Sequence, residues 1–280
     1  MIARINPAVA ASLVAAGLSI CWTPVLAQNA SAAPSRDGDW TLAELPERKA
    51  TLAVAEFSSG LGIVVRCVDR TFDVLIDGLP SAPGQDLSRE IGLVVGEDGE
   101  EDTTVWTVGA DRTSAFSRLP ARVARQLAKG GKLQVIVPGA PGERRTRYEM
   151  ALDPSGQAIE HTLGACGRPL VDTRDYEARG NGQDGLPSPV TWARMPQPNF
   201  PMVPGVAGEG VVTMSCVVQD DGRLEDCLIE SEHPGGHFFG RSVERSLGRA
   251  RLKVEEEAAA NGLSLEDRFV VFTVKFRLAS

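Results

Sequence analysis

The chain has 280 residues, of which 42% are hydrophobic and 24% charged, so it can form two ordinary domains with packed cores. This composition argues against a disordered chain and against a long coiled coil. The formal net charge of -8 argues against nucleic acid or anionic lipid as a partner, because like charges repel one another.

The first segment has the pattern of a secretory signal. Arg4 precedes an apolar stretch at 8–20, and Val25-Leu26-Ala27 supplies the small residue that a signal peptidase needs. We therefore expect cleavage after Ala27, with residues 1–27 removed and the mature protein in the periplasm. The alternative is an uncleaved inner-membrane anchor that faces the periplasm, because the apolar segment 8–27 is just long enough to span a bilayer.

A strand-rich domain is predicted at 50–171, after a flexible segment at 28–49. Alternating apolar residues separated by turn signals such as Asp77-Gly78 and Gly130-Gly131 indicate strands. Two short helices are expected at 120–129 and 156–164, the first with proline in its first turn and glycine after its end. The candidate strands are 51–57, 63–68, 72–76, 90–95, 103–108, 133–137 and 147–152.

Three short motifs in this region carry a resemblance to a known family. Val65-Arg66-Cys67 lies on an early strand, Leu133-Gln134-Val135 on a later one, and Leu163-Gly164-Ala165-Cys166 ends the second helix. This arrangement resembles the small disulfide-bonded β domain of invasion-associated locus B proteins. The resemblance implies an extracytoplasmic β domain closed by one disulfide, and it implies no chemistry.

The composition changes to Gly, Pro, Asp and Arg over 172–197, which is typical of an interdomain linker. A second domain is predicted at 198–280. It starts with a hairpin in which Asp221-Gly222 joins two alternating strands, each with one cysteine. The alternation sends one set of residues to the core face: Val212, Met214, Cys216, Val218, Cys227 and Ile229.

The hairpin turn decides how the two cysteines meet. With a two-residue turn at Asp221-Gly222, Cys216 lies directly opposite Cys227, about 5.5 Å apart at Cα, which a disulfide tolerates. A three-residue turn at 220–222 would instead place Cys216 opposite Asp226. We favour the two-residue turn and keep the alternative open.

The hairpin register also selects the disulfide pairing. Cys21 would leave with the signal, and four cysteines would remain in an oxidising compartment, where three pairings are possible. Pairing Cys216 with Cys227 leaves Cys67 for Cys166, so that each bond lies within one predicted domain.

An amphipathic helix and a long strand follow the hairpin. Phe239, Val243, Leu247, Ala250 and Val254 recur at helical spacing and predict a helix that continues to about Val254. From Phe269 to Leu278 the apolar residues return to period two. The predicted fold class is therefore α+β: a mostly β domain with one disulfide, then a β-β-α-β domain with a three-stranded antiparallel sheet.

Several motifs of this second domain carry a further resemblance. They are Asn199-Phe200-Pro201, Gly210-Val211-Val212-Thr213, Asp221-Gly222-Arg223 and Phe272-Thr273-Val274-Lys275-Phe276. In this order they resemble the C-terminal domain of the TonB family over about residues 198–278. The chain departs from that family where Leu252-Lys253-Val254-Glu255 replaces an aromatic-x-Pro element and where 255–260 extends the helix or its exit.

The resemblance implies a function for the last strand. TonB-family domains add an extended peptide of an outer-membrane transporter to the exposed edge of this strand. We accordingly predict a non-catalytic periplasmic protein that binds a protein or peptide partner, such as a TonB-dependent outer-membrane receptor, by strand addition. The residues expected to flank the added peptide are Val271, Thr273, Lys275 and Arg277.

Two alternatives remain open at this point: a membrane-anchored energy transducer of TonB-dependent transport, and a secreted hydrolase. The hydrolase has little support, because the chain has no nucleophile, phosphate-binding or zinc-protease motif. His233 and His237 have a metal-like spacing, but Pro234-Gly235-Gly236 breaks the helix that such a site would need. No catalytic residue, cofactor or metal is predicted, and the membrane would be a partner only if residues 1–27 stay attached.

Overall fold

The computed structural model describes residues 37–139, 142, 144–154, 156–175, 186, 188–265 and 268–278. The predicted signal at 1–27 lies outside these residues. Among the described residues, no helix combines the length and the apolar character that a membrane span requires. The described residues belong to one compact unit.

The first half forms a nine-stranded antiparallel sheet with two helices. The strands are β1 (Trp40–Leu45), β2 (Ala50–Glu56), β3 (Gly62–Val68), β4 (Thr71–Asp77), β5 (Ser88–Val95), β6 (Asp102–Val108), β7 (Ala115–Ser117), β8 (Gly131–Val137) and β9 (Thr146–Leu152), and the helices are α1 (Pro120–Leu127) and α2 (Gly156–Ala165). The strand order in the sheet is β1-β2-β3-β4-β7-β6-β5-β8-β9.

The seven predicted strands and both predicted helices are confirmed, and two strands are additional. β7 is only three residues long, too short for an alternating pattern. β1 lies in the segment 28–49 that was expected to be flexible, and it pairs with β2 along its whole length. The core of this half lies between the sheet and the helices, with Trp106 and Ile159 fully buried.

The second half contains a three-stranded antiparallel sheet, in agreement with the predicted fold class. Its strands are β11 (Glu209–Val218), β12 (Leu224–His233) and β14 (Arg268–Arg277), in the order β12-β11-β14. Helix α3 (Phe239–Leu247) buries Phe239, Val243 and Leu247 in a core that it shares with this sheet. A short helix α4 (Glu256–Ala260) precedes β14.

The prediction that the helix continues to Val254 is wrong. Helix α3 ends at Leu247, and Arg251–Val254 forms strand β13, which pairs with β10 (Val190–Arg194). Leu252 pairs with Trp192 and is buried in the core of this half. It reaches the core as part of a strand and not as part of a helix. Strand β10 lies inside the segment 172–197 that was interpreted as a linker.

The preferred two-residue turn in the β11–β12 hairpin is also wrong. Gln219 N–H donates to the Arg223 carbonyl, so that three residues, 220–222, form the loop, and Gly222 adopts φ 77. A positive φ at the last loop residue is typical of a three-residue hairpin with a bulge, and it favours glycine.

A second bulge brings the cysteines together. Near the turn Val217 pairs with Glu225, but beyond the bulge Ser215 pairs with Leu228, a shift of one residue. Asp226, with φ 46, lies at the shift. The chain therefore contains the disulfide Cys216–Cys227 within this hairpin, and the disulfide Cys67–Cys166 joins β3 to the end of α2.

Candidate protein-interaction edge

Strand β14 lies at an edge of its sheet, and its register with β11 shows which main-chain groups face outward. Leu278 N–H donates to the Gly208 carbonyl at 2.8 Å and continues the register in which Phe276 pairs with Gly210. In an antiparallel pair, residues that exchange hydrogen bonds alternate with residues that do not. Even-numbered residues of β14 thus bond to β11, and odd-numbered residues direct their N–H and C=O groups away from it.

The opposite side of β11 gives the same parity. Gln219 N–H, an odd-numbered donor, bonds to the Arg223 carbonyl at 2.9 Å on the β12 side. The odd-numbered residues of β11 therefore form main-chain hydrogen bonds with β12, and its even-numbered residues form them with β14. The outward main-chain groups of β14 belong to Phe269, Val271, Thr273, Lys275 and Arg277.

This outer edge is free within the part of the chain that the structure describes. No hydrogen bond between described residues engages the main-chain groups of Val271, Thr273 or Lys275 that point outward. A ten-residue strand with a row of unpaired donors and acceptors is a template for another extended segment. The geometry therefore supplies what strand addition needs.

The four residues predicted to flank an added peptide are in different environments. Lys275 is exposed, and Arg277 Nε donates to Glu209 Oε1 at 2.7 Å on the adjacent strand. The Thr273 hydroxyl lies 3.1 Å from that of Thr213 and is partly buried. Val271 is buried as a whole residue, at 8% exposed, because the first half of the chain covers this end of the sheet face, so the accessible part of the edge starts at Thr273.

The other edge of the sheet, formed by β12, is capped by the chain's own arginines. Arg168 Nη2 donates to the Ile229 carbonyl at 2.6 Å, and Arg174 Nη2 donates to the Asp226 carbonyl at 3.1 Å. Both acceptors lie at bulges of β12. The two edges thus differ, since one has acceptors occupied by the first half of the chain and the other is open.

The sequence pattern does not predict the role of these two arginines. They lie in or next to the region interpreted as a linker, and their acceptors are more than 50 residues away in the chain. Only a tertiary contact brings them to β12, so no local signal could have found them.

The histidines that were considered as metal ligands have other partners. The His233 ring packs 4.4 Å from the Phe116 ring, and burial, with a smaller contribution from the Arg66 charge, lowers its pKa to about 4. His237 Nδ1 accepts the Ala207 N–H at 3.2 Å. Among the described residues, no cluster of three or more His, Cys, Asp or Glu could hold a metal ion.

One carboxyl group has the raised pKa that an acid catalyst often shows. Burial raises the pKa of Asp73, although the Arg66 guanidinium, 3.1 Å away, opposes that shift. Asp73 and Arg66 form a cross-strand pair on β4 and β3. Structural ion pairs also perturb the pKa of a carboxyl group, so this shift does not by itself identify an acid catalyst.

Neither a family model nor a curated protein sequence matches this chain. Among solved structures, the chain is similar to the solution NMR structure of the TonB C-terminal domain of Pseudomonas aeruginosa. The sequences are 22% identical, the match covers 36% of this chain and 92% of that one, and the TM-score is 0.27. This similarity is too low for a functional comparison, whereas the free edge of β14 is a property of the chain itself.

Proposed function

We propose that the protein is a non-catalytic extracytoplasmic binding protein that captures an extended segment of a protein partner on the outer edge of β14. The observation that supports this proposal is the row of outward N–H and C=O groups from Phe269 to Arg277, free of hydrogen bonds within the described residues. The two disulfides fit an oxidising compartment, and we propose the periplasm.

Main-chain pairing sets the expected strength of this binding. Each new hydrogen bond contributes about 0.5–1.5 kcal/mol net, and part of that gain is offset by the entropy lost when the partner segment is ordered. Side chains of the partner next to Lys275 and Thr273 would therefore add both affinity and specificity. We expect moderate affinity that depends on the register of the added strand.

The resemblance of residues 198–278 to the TonB family suggests the class of partner. In that family the added strand comes from an outer-membrane receptor, and the binding serves transport across that membrane. We propose a receptor of this class as the partner here. An adapter role for a different envelope protein would use the same edge.

Affinity capture from an envelope extract tests both the use of the β14 edge and the proposed class of partner. The full chain with its disulfides oxidised serves as bait, and Thr273→Pro serves as the edge-deficient control, because proline removes an outward donor without removing a main-chain bond to β11. We expect the wild-type bait to enrich TonB-dependent receptors and the proline variant to lose them. Edge-dependent enrichment of another envelope protein would favour the adapter role, and capture unaffected by Thr273→Pro would contradict strand addition.

A further inference from the structure

A groove of about 490 Å³ runs beside helix α3, on a different surface from the main-chain edge of β14. One wall is the segment 197–203, which has no regular secondary structure, and the other is the exposed side of α3. Phe200 anchors the first wall, since its ring packs edge-on 5.6 Å from the ring of the buried Phe239. The Ser242 hydroxyl joins the walls by donating to the Asn199 carbonyl.

Two apolar side chains that line the groove are exposed to solvent. Met202 is 86% exposed and Phe238 is 48% exposed, and both line it. Phe238 also has φ 65, a backbone conformation that is rare for a bulky residue and costs free energy. A bound molecule that covers these two side chains would remove apolar surface from water, which favours binding.

The charge of the groove is opposite to that of the whole protein. Arg241 and Arg245 line it one helical turn apart, and no lining residue is acidic, although the chain has 37 acidic and 29 basic residues. Both arginines are exposed, and neither forms an ion pair with another described residue. The Arg241 guanidinium lies 5.8 Å from the centre of the Phe238 ring, so the cationic and apolar parts of the groove adjoin.

We propose that this groove binds an acidic peptide segment of a protein partner, with an apolar side chain against Phe238 and Met202 and two carboxylates on Arg241 and Arg245. Residues one helical turn apart lie about 5–6 Å from each other, close to the roughly 6.6 Å between residues i and i+2 of an extended chain. The pattern that fits is apolar-x-acid-x-acid. A nucleic acid fits less well, because the net charge of -8 would repel its phosphates and because the lining is partly apolar.

Fluorescence anisotropy with defined peptides tests this proposal. The probes are short labelled peptides with phenylalanine or leucine followed by glutamates two and four residues later, and the controls replace both glutamates with glutamine. We expect saturable binding of the glutamate peptides to the full chain, weaker binding at high salt, and at least about fivefold weaker binding of the glutamine peptides.

Matched charge reversals locate the site. Arg241→Glu and Arg245→Glu should each weaken binding about fivefold or more, whereas Arg249→Glu, which changes the net charge equally but does not line the groove, should change it less than about twofold. Met202→Ser should weaken binding without changing any charge. Thr273→Pro should leave binding unchanged, which keeps this test separate from that of strand addition.

Three outcomes would overturn the proposal. The first is that no glutamate peptide binds at millimolar concentration. The second is that Arg249→Glu weakens binding as much as Arg241→Glu, which would indicate a nonspecific charge effect. The third is that a single-stranded oligonucleotide binds more tightly than the peptides and shows the same dependence on Arg241 and Arg245, which would make the groove a general polyanion surface.

Discussion

At the scale of single residues, His233 has the clearest consequence for stability. Its imidazole is largely buried against Phe116, and its pKa falls from 6.5 to about 4. Between these two values the unfolded chain binds a proton that the folded chain does not. The free energy of unfolding therefore decreases as the pH falls through this window.

We predict that this group alone lowers the free energy of unfolding by about 2 kcal/mol between pH 7 and pH 5. His233→Phe keeps an aromatic ring against Phe116 and removes the titration, so the variant should lose about that much less over the same range. Urea unfolding of both proteins at the two pH values measures the difference. If both proteins lose the same free energy of unfolding between pH 7 and pH 5, the pH dependence does not come from His233.

The outward residues of β14 show what can and cannot be predicted at this scale. The alternation of apolar and polar residues after Phe269 separates Val271, Thr273, Lys275 and Arg277 from the core set. It does not show that Val271 is buried, because the residues that cover it come from the first half of the chain. Side-chain exposure on the second face of a sheet depends on a tertiary contact that the strand's own pattern does not contain.

At the scale of secondary-structure elements, outward and inward N–H groups alternate along β14, so proline should have different effects at two neighbouring positions. Thr273→Pro removes an outward N–H, whereas Val274→Pro removes an N–H that bonds to Val212 on β11. We expect Thr273→Pro to abolish partner capture with a loss of stability of about 1–2 kcal/mol, mainly from the lost bond to the buried Thr213 hydroxyl, and Val274→Pro to lower stability by about 3 kcal/mol or more. Thermal unfolding and the capture assay measure the two effects, and equal destabilisation by both prolines would show that the parity is wrong.

The hairpin and the helix show which structural features can be predicted from a local sequence pattern. Period-two alternation is sufficient to place Cys216 and Cys227 on one face of the sheet. The turn was mispredicted because the bulge at Asp226 restores the cysteine pairing that a three-residue loop would otherwise prevent. The pattern predicts helix in place of strand β13 because Ala250 and Val254 continue the helical spacing of α3, whereas the strand partner of β13, β10, lies far earlier in the chain.

At the scale of the whole molecule, buried polar contacts connect the two halves. Arg168 donates to the Ile229 carbonyl and lies 3.6 Å from Glu230, whose side chain is 9% exposed. The Glu230 carboxylate also accepts the Ser215 hydroxyl at 2.6 Å. This network holds the first half against β12, so that the free main-chain edge of this sheet, within the described residues, is that of β14.

A double-mutant cycle tests the coupling through this network. Arg168→Met leaves a buried carboxylate without its cation and should lower the free energy of unfolding by about 3 kcal/mol. Adding Glu230→Gln removes that charge and should recover at least half of the loss, because an amide still accepts the Ser215 hydroxyl. Urea unfolding of the four proteins measures the coupling, and additive losses would show that Arg168 and Glu230 act independently.

Amide hydrogen exchange along β14 tests the central claim most directly. In the free protein, the amides of Thr273 and Lys275 should exchange much faster than those of Phe272, Val274 and Phe276, which bond to β11. Addition of a captured partner, or of a peptide derived from it, should slow the odd-numbered amides and leave the even-numbered ones unchanged. Slow exchange of the odd-numbered amides before the partner is added, or fast exchange after it is bound, would contradict strand addition at this edge.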